Sequence, residues 1–457
     1  MPKHPLRAAK APAVLVTAAL LAAACTATDH HDASRNSLAS DLERAALDRS
    51  TIPLPAPASA PPTDRPLTAD AAVRTALSRN PSFRANVLMA HEAALVVDVV
   101  ALGPTPMVML EIGAPITDAA TVPVLALLTT SLTDLITRND RMEAASLRAQ
   151  AAHLAAIDAA STLAATVRER HAMAWQAQES LRLAHLRLSL AQTEADREST
   201  LAAKGLASAR RDQAGSALLA TTQAQLEQAR ALHITSLRAL AIAMGCGLDR
   251  TDWTLERPAL PALPERELLS SSLETPAARM AIALAAATRI EAGLIRSGLA
   301  QNANIGTGYM QDEEDMRAIP IVLQFALPIG GEGATRDERA SLLEEAAGLR
   351  AQAALQGAHV RLADAIDREA LMRAAADALE RTTLAAARAQ QDRARALAQR
   401  GAVTAKERDQ LHLACLGAES EAVMAHASAC VAAAQRVAAS AGIDLARQDD
   451  QPRSASR

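Results

Sequence analysis

The sequence predicts a mainly α fold, in which a long helical hairpin occurs twice and each copy is joined to a short β-hairpin. Three observations predict it. No proline or glycine interrupts the run from Arg141 to Ala203, which is rich in Ala, Leu, Gln, Arg and Glu, the strongest helix formers. As a helix it would be roughly 95 Å long. A second such run goes from Ala358 to Arg400 and extends back toward Arg336. Each run ends at one glycine after a basic residue, in Lys204-Gly205-Leu206-Ala207-Ser208 and in Arg400-Gly401-Ala402-Val403-Thr404, and another helical run follows each.

Composition narrows the architecture. Hydrophobic residues make up 50% of the chain but aromatic residues only 1%. A thick core needs large side chains to reach native packing density. Alanine instead suits thin layers of helices whose backbones lie close. The net charge is −4. With no basic block and no aromatic stacking platform, a nucleic-acid partner is not expected.

The N-terminus carries Lys3, Arg7 and Lys10, a short apolar stretch from Val14 to Leu21, and then Ala22-Ala23-Ala24-Cys25. This pattern is that of a signal peptide over 1–24, too short to span a bilayer. Small residues before Cys25 resemble a bacterial lipobox, in which Cys25 becomes the lipidated N-terminus. The other reading is an ordinary small-residue cleavage site with Cys25 as a bystander. Residues 25–66 hold Pro53, Pro55, Pro57, Pro61, Pro62 and Pro66 and read as an extended tether. Cys246, Cys415 and Cys430 are odd in number and read as small buried apolar residues.

The first helix begins after Thr68, a fair N-cap. It places Val73, Ala76 and Leu77 on one face, breaks at Asn80-Pro81, and resumes through Phe83, Val87, Ala90, Ala94 and Val97. From Gly103 to Thr130, glycines and prolines separate short apolar runs. Val108, Leu110 and Ile112 share one face of a strand, Val122 to Leu128 form a second, and the turn falls near Pro115 to Ala120. The long helix, the Gly205 turn and a return helix from Ser208 to Met244 follow. Pro258, Pro261 and Pro264 mark a linker.

The pattern then repeats. Asn80-Pro81 matches Thr275-Pro276, 195 residues on, and Gly205 matches Gly401, 196 residues on. The same elements lie between them in the same order, which signals duplication. The repeats are read as 67–257, with strands in 103–130, and 258–443, with strands in 302–328; a disordered tail is expected over 444–457. In the second strand pair Asp312-Glu313-Glu314-Asp315 forms the turn. Ile319, Ile321, Leu323, Phe325 and Leu327 line one face, opposite Val322, Gln324 and Ala326. Strands of this length cross a bilayer when tilted. The alternation fits either a membrane sheet or a sheet packed on one face in a soluble domain. In hydrocarbon an open sheet edge is not tolerated, so a spanning sheet of four strands demands several copies of the chain.

This order of elements resembles the TolC-type outer-membrane efflux proteins, the lipid-anchored branch in particular. The landmarks are Leu67-Thr68-x-x-x-Ala72-Val73-x-x-Ala76-Leu77-x-x-Asn80-Pro81, the strand end Leu327-Pro328-Ile329-Gly330-Gly331, and the two glycine turns before Ser208 and Thr404. The resemblance implies a homotrimer with a twelve-stranded barrel in the outer membrane and a twelve-helix tunnel in the periplasm. It implies a passive exit duct for small molecules or metal ions, served by a periplasmic adaptor and an inner-membrane transporter, with no cofactor and no catalysis. It places adaptor docking on Lys204, Gly205, Leu206, Ala207 and Ser208, and on Arg400, Gly401, Ala402, Val403 and Thr404. It places a pore gate at Glu407 and Gln410, where Gln410 departs from the family's acid; the bland alternative for Glu407 is a solvated helix-surface charge. The rival architecture is a periplasmic coiled-coil scaffold lipoprotein without a pore.

No catalytic set and no phosphate-binding glycine loop is expected. His412-x-x-Cys415 and His426-x-x-x-Cys430 have helical metal-ligand spacing, but such pairs arise readily by chance in an Ala-rich helix. Met107, Met109, Met310 and Met316 lie in or near the strands, as filler in place of aromatics or as soft ligands.

Overall fold

The computed structural model describes residues 65–112, 124–247, 252–261, 275–297, 303–312, 316–324 and 332–440. The signal peptide, Cys25, nearly all of the tether, the Pro115 to Ala120 turn, the strand end at Leu327-Pro328 and the C-terminal tail lie outside them.

The chain divides into two compact units, and each draws on both sequence repeats. Of the described residues, one unit takes Val87–Ala155 and Ala277–Ala354; the other takes 65–86, those within Ala156–Pro276, and 355–440.

The first unit contains the sheet. Helix α2 (Pro81–Leu102) leads into β1 (Met107–Ile112) and β2 (Val124–Ser131). Short α3 (Leu132–Ile136) follows, and then the start of α4 (Arg138–Ala203). In the second repeat α6 (Pro276–Ser297) precedes β3 (Asn304–Gln311), β4 (Arg317–Ala318), β5 (Ile321–Gln324) and the start of α7 (Glu332–Ala378). Both α2 and α6 start with proline at their first helical position, where a missing N–H costs nothing. Of the predicted stripe in α2, Val87 and Ala90 are buried, while Ala94 and Val97 are only half-buried.

The two β-hairpins form one antiparallel sheet. β1 pairs with β2, β2 pairs with β3 over eight residues, and β4 and β5 share the far edge of β3. The register sets Leu110 beside Ala126 and Ala126 beside Tyr309, and it sets Leu128 beside Thr307 and Thr307 beside Ile321. Opposed residues share a face. Val108, Leu110, Ile112, Leu128, Tyr309, Ile321 and Leu323 therefore lie on one side, and all are exposed. The strand expected to run unbroken from Ile319 is interrupted: Pro320 separates β4 from β5. Proline has no N–H to give to a ladder.

The β2–β3 seam is tight. A Cβ added to Gly308 would lie 1.9 Å from the Ala126 carbonyl oxygen, and one on Gly306 would lie 2.6 Å from Thr129 Cγ2. Gly308→Val is expected to unpair the two hairpins and cost about 1–3 kcal/mol, as overpacking does. Loss of β signal in circular dichroism, with helical signal retained, checks it. An unchanged β signal would show that the seam tolerates side chains.

The second unit is helical. α1 (Ala69–Arg79) buries Ala72, Val73, Ala76 and Leu77. Its N-cap is Thr68, whose hydroxyl accepts from Ala71 N–H at 3.1 Å. The long α4 pairs with α5 (Ala209–Ala243) through Ala184, Leu226 and Ala229, flanked by Leu181 and Leu188. In the second repeat α7 continues through a π-helical turn, Leu379–Leu384, into α8 (Ala385–Gln399). That turn and α8 pack on α9 (Ala405–Ser440) through Leu384, Ala418 and Ala422. The helix expected from Ala358 to Arg400 is thus present without a break but widens by one π turn. The π turn holds Thr382 and Thr383, β-branched residues that fit a regular helix poorly, and Thr382 hydroxyl back-bonds to the Ala378 carbonyl.

The proline-marked linker is no free connection where it is described. Trp253 and Leu255 are buried. Leu255 makes a parallel bridge with Leu67, and Gln178 on α4 grips it from both sides, accepting from its N–H at 2.9 Å and donating to its carbonyl at 3.3 Å. His171 and Leu67 carbonyl lie 2.8 Å apart. Burial holds the His171 pKa below the ordinary value, against the pull of that carbonyl. Further on, His426 of α9 meets the Pro258 carbonyl at 2.9 Å and Arg257 at 3.1 Å, with Trp175 edge-on to its ring.

Candidate functional site

Both hairpin turns in the helical unit close in the same way. Gly205 has φ +67° and Gly401 φ +73°, a region glycine enters without strain. Leu206 N–H reaches back to Leu201 carbonyl at 2.8 Å, and Gly205 N–H to Ala202 carbonyl at 2.9 Å. In the second turn Ala402 N–H reaches Leu397 carbonyl at 3.0 Å and Gly401 N–H reaches Ala398 carbonyl at 3.0 Å. These paired bonds satisfy the last carbonyls of a helix that ends in a left-handed residue. Gly245 (φ +68°) ends α5 in the same manner, with Cys246 bonded to Ala241.

The turns leave their side chains outward. Lys204, Leu206, Ser208, Arg400, Ala402 and Thr404 are exposed, and Ala207 and Val403 are half-buried. Leu206, 70% exposed, is a large apolar side chain at a helix turn with little of the chain around it.

The two turns differ at the helices they start. Ser208 makes no side-chain cap bond. Thr404 and Glu407 form a reciprocal box: Glu407 N–H donates to Thr404 Oγ1 at 3.2 Å, while Thr404 N–H and hydroxyl donate to Glu407 Oε2 at 2.9 and 2.8 Å. Those two bonds, the backbone one first, hold the Glu407 carboxyl below its usual pKa. Within this chain, then, Glu407 has a job as a cap. The signature Thr404-x-x-Glu407 is legible in sequence, and it is the signal that points to this role.

Just inside the turns, α4 is tied to α9. Arg197 bonds Glu194 at 2.7 Å and Asp409 at 2.6 Å, and Arg408 bonds the other oxygen of Asp409 at 2.8 Å. Asp409 is buried. Burial alone would raise its pKa, yet the Arg197 and Arg408 guanidiniums outweigh that and hold it below the ordinary range. Arg182 adds a bond to Glu419 at 2.6 Å, and Arg187 donates to Leu416 carbonyl at 3.2 Å. Sequence reasoning singled out Gln410 and passed over Asp409; no local pattern marks which acid faces a helix 212 positions away. Gln410 lines a cavity of about 280 Å³ between α4, α5 and α9.

The remaining candidates separate. Cys25 lies outside the described residues. Cys415 and Cys430 are buried free thiols as expected, but Cys246 is only half-buried, with Arg79 donating to its sulfur at 3.8 Å, and burial pushes Cys430 up to about 11. His426 and Cys430 both turn to the Pro258 carbonyl. Among the described residues, no group of three or more His, Cys, Asp or Glu side chains is placed to hold a metal ion. Met107 and Met109 share a sheet face with Met310, but β2 lies between them, so their strands stand about 9–10 Å apart.

No family model and no curated protein matches the chain. Solved structures do. The Campylobacter jejuni CmeC outer membrane channel matches with a TM-score of 0.67 at 14% identity, over 87% of this chain and 93% of that one. The open state of the Neisseria gonorrhoeae MtrE outer membrane channel matches with a TM-score of 0.64 at 18% identity, over 86% and 97%. CusC, described for its folding and transmembrane channel formation, matches with a TM-score of 0.63 at 17% identity, over 86% and 99%. A mainly helical chain with two glycine-turned hairpins and one antiparallel sheet built from both repeats has the fold of the TolC-type outer-membrane channels.

Proposed function

We propose that this chain is the outer-membrane exit duct of a tripartite efflux system, a passive channel for small molecules or metal ions. One observation carries the reading. The sheet presents a continuous apolar face to the outside, with Ile321 78% and Val108 75% exposed, while β1 and the β4–β5 pair end it as open edges. Open edges in hydrocarbon leave backbone groups unsatisfied. Sister copies satisfy them if the sheet closes into a barrel, and three copies give the twelve strands that the resemblance implies. Helix α2 exposes Leu88, Met89, Val99 and Leu102, and in that assembly sister copies cover them. The repeats 67–257 and 258–443 then act as two copies of one structural unit. Cys25 holds the tether 25–66 to the outer membrane, with most of the chain in the periplasm. The exposed turns 204–208 and 400–404 meet the periplasmic adaptor, which joins the duct to an inner-membrane transporter.

Protein extracted in detergent is expected to be a trimer with β content and to open single channels in planar bilayers. A monomer soluble without detergent and free of conductance would favour the scaffold reading and end this one. Mass spectrometry of the mature N-terminus is expected to find acyl chains on Cys25; an unmodified thiol there would remove the anchor and leave the channel standing.

Glu407 has a clean test. Glutamine also serves in a capping box, so Glu407→Gln keeps the helix start and removes only the charge. If three Glu407 side chains ring the pore, cation selectivity falls by about two- to tenfold, the range of a modest electrostatic contribution of up to ~1.4 kcal/mol. Unchanged reversal potentials in a salt gradient would confine Glu407 to its cap.

A further inference from the structure

We propose that the cavity between α4, α5 and α9 is a binding site for a small organic cation with a short apolar body. The cavity is about 280 Å³ and is walled by Leu190, Leu218 and Leu413 on its apolar side. Glu198 forms part of the wall and is only 6% exposed. Its Oε2 is buried and has no hydrogen-bond partner.

An unpartnered buried carboxylate oxygen is a costly arrangement. The neighbouring cations give Oε2 no donor, although Lys406 pairs with the other oxygen across a longer gap. Lys406 Nζ stands 3.9 Å from Glu198 Oε1 and 4.0 Å from Glu194, beyond hydrogen-bond length, on a half-exposed side chain. Arg197 is spent on Glu194 and Asp409. Arg187 is turned to Leu416 carbonyl, and Arg211 is exposed at the rim. Glu198 Oε2 is thus a buried carboxylate oxygen in this wall with bonding capacity left over. Half a turn about its last torsion exchanges its two oxygens, and a guanidinium, amidinium or ammonium entering the cavity would supply the missing donor.

The backbone supports the cavity. Gly215 of α5 lies against α4, where a Cβ would meet Ala195 Cα at 3.3 Å and Glu198 Cβ at 3.8 Å. The close approach keeps the carboxylate deep, while the leucines accept an aromatic or short alkyl body. A cation seated there would compete with Lys406, which comes from α9, for a carboxylate on α4. Occupancy is therefore linked to how α9 sits on α4.

The test is calorimetric titration of the full chain in detergent with benzamidine, and with benzoate as an isostere of opposite charge. Benzamidine is expected to bind with Kd of about 0.1–1 mM, roughly −4 to −5.5 kcal/mol, and at least about tenfold more tightly than benzoate. Glu198→Gln is expected to weaken benzamidine by about tenfold or more, because it removes a charge-assisted bond. Leu218→Trp, at a partly exposed position, is expected to fill the cavity and abolish binding. Absence of binding by the unmodified chain, equal affinity for benzoate, or binding that survives either substitution would overturn the proposal. If Glu198→Gln does not fold, Leu218→Trp alone decides. The titration needs neither channel activity nor a trimer, so its failure is distinguishable from failure of the efflux reading.

Discussion

Arg436→Ala is expected to destabilise the helical unit by about 3–5 kcal/mol, the cost of breaking a buried ion pair by removing one member. Glu369 on α7 is fully buried. Arg436 of α9 contacts its Oε2, and Arg373, one turn along α7, bonds its Oε1 at 2.6 Å. Arg373 also donates to the Pro261 carbonyl at 2.6 Å, so the cluster ties α7, α9 and the 252–261 segment together. Removing Arg436 leaves Arg373 to compensate Glu369 alone. The measurement is the thermal unfolding midpoint of the detergent-solubilised protein. Replacing both, in Glu369→Leu with Arg436→Leu, is expected to recover part of the loss, since the buried carboxylate is gone while Arg373 keeps the Pro261 carbonyl but loses its acid. A double variant as unstable as Arg436→Ala would mean that side-chain shape, not charge, dominates the site.

Gly205→Pro and Gly401→Pro are expected to abolish efflux in a complemented deletion strain while the trimer stays intact. Proline fixes φ near −65°, and these positions sit at +67° and +73°. Each substitution also removes an N–H that closes the turn, to Ala202 and to Ala398. The local cost is about 3 kcal/mol or more. It falls on exposed turns, away from the packed pairs at Leu226 and Leu384, so assembly is expected to survive while the proposed docking surface is lost. Alanine at the same positions costs only about 1–2 kcal/mol and is expected to weaken efflux rather than end it. Normal resistance in the proline variants, with trimers recovered, would place adaptor docking elsewhere.

The helical hairpins were legible because their signal is local. Uninterrupted alanine-rich runs and a glycine after a basic residue specify helix and stop within a few residues of each other, and α4 and α5 fall within three residues of the ends their residues predict. The capping box at Thr404 and Glu407 was equally local. The π turn at Leu379–Leu384 was not, because two threonines in a helix more often leave it regular. Asp409 and Glu198 were not legible either: each is one acid among 51 acidic residues, and only the approach of another helix buries it.

What the sequence determined by itself is the order of elements and the shared face of Val108, Leu110 and Ile112 in β1 and of Ile321 and Leu323 in β5, since these depend on propensity and on a period of two or of 3.6 residues. What the tertiary structure alone decided is the joining of Val124–Ser131 to Asn304–Gln311 into a single sheet, and the meeting of Arg182 and Arg197 on α4 with Glu419 and Asp409 on α9. Those contacts bridge more than a hundred residues. Hydrogen-bond register and desolvation select them only once both partners are brought together, and no stretch of chain read alone carries that information.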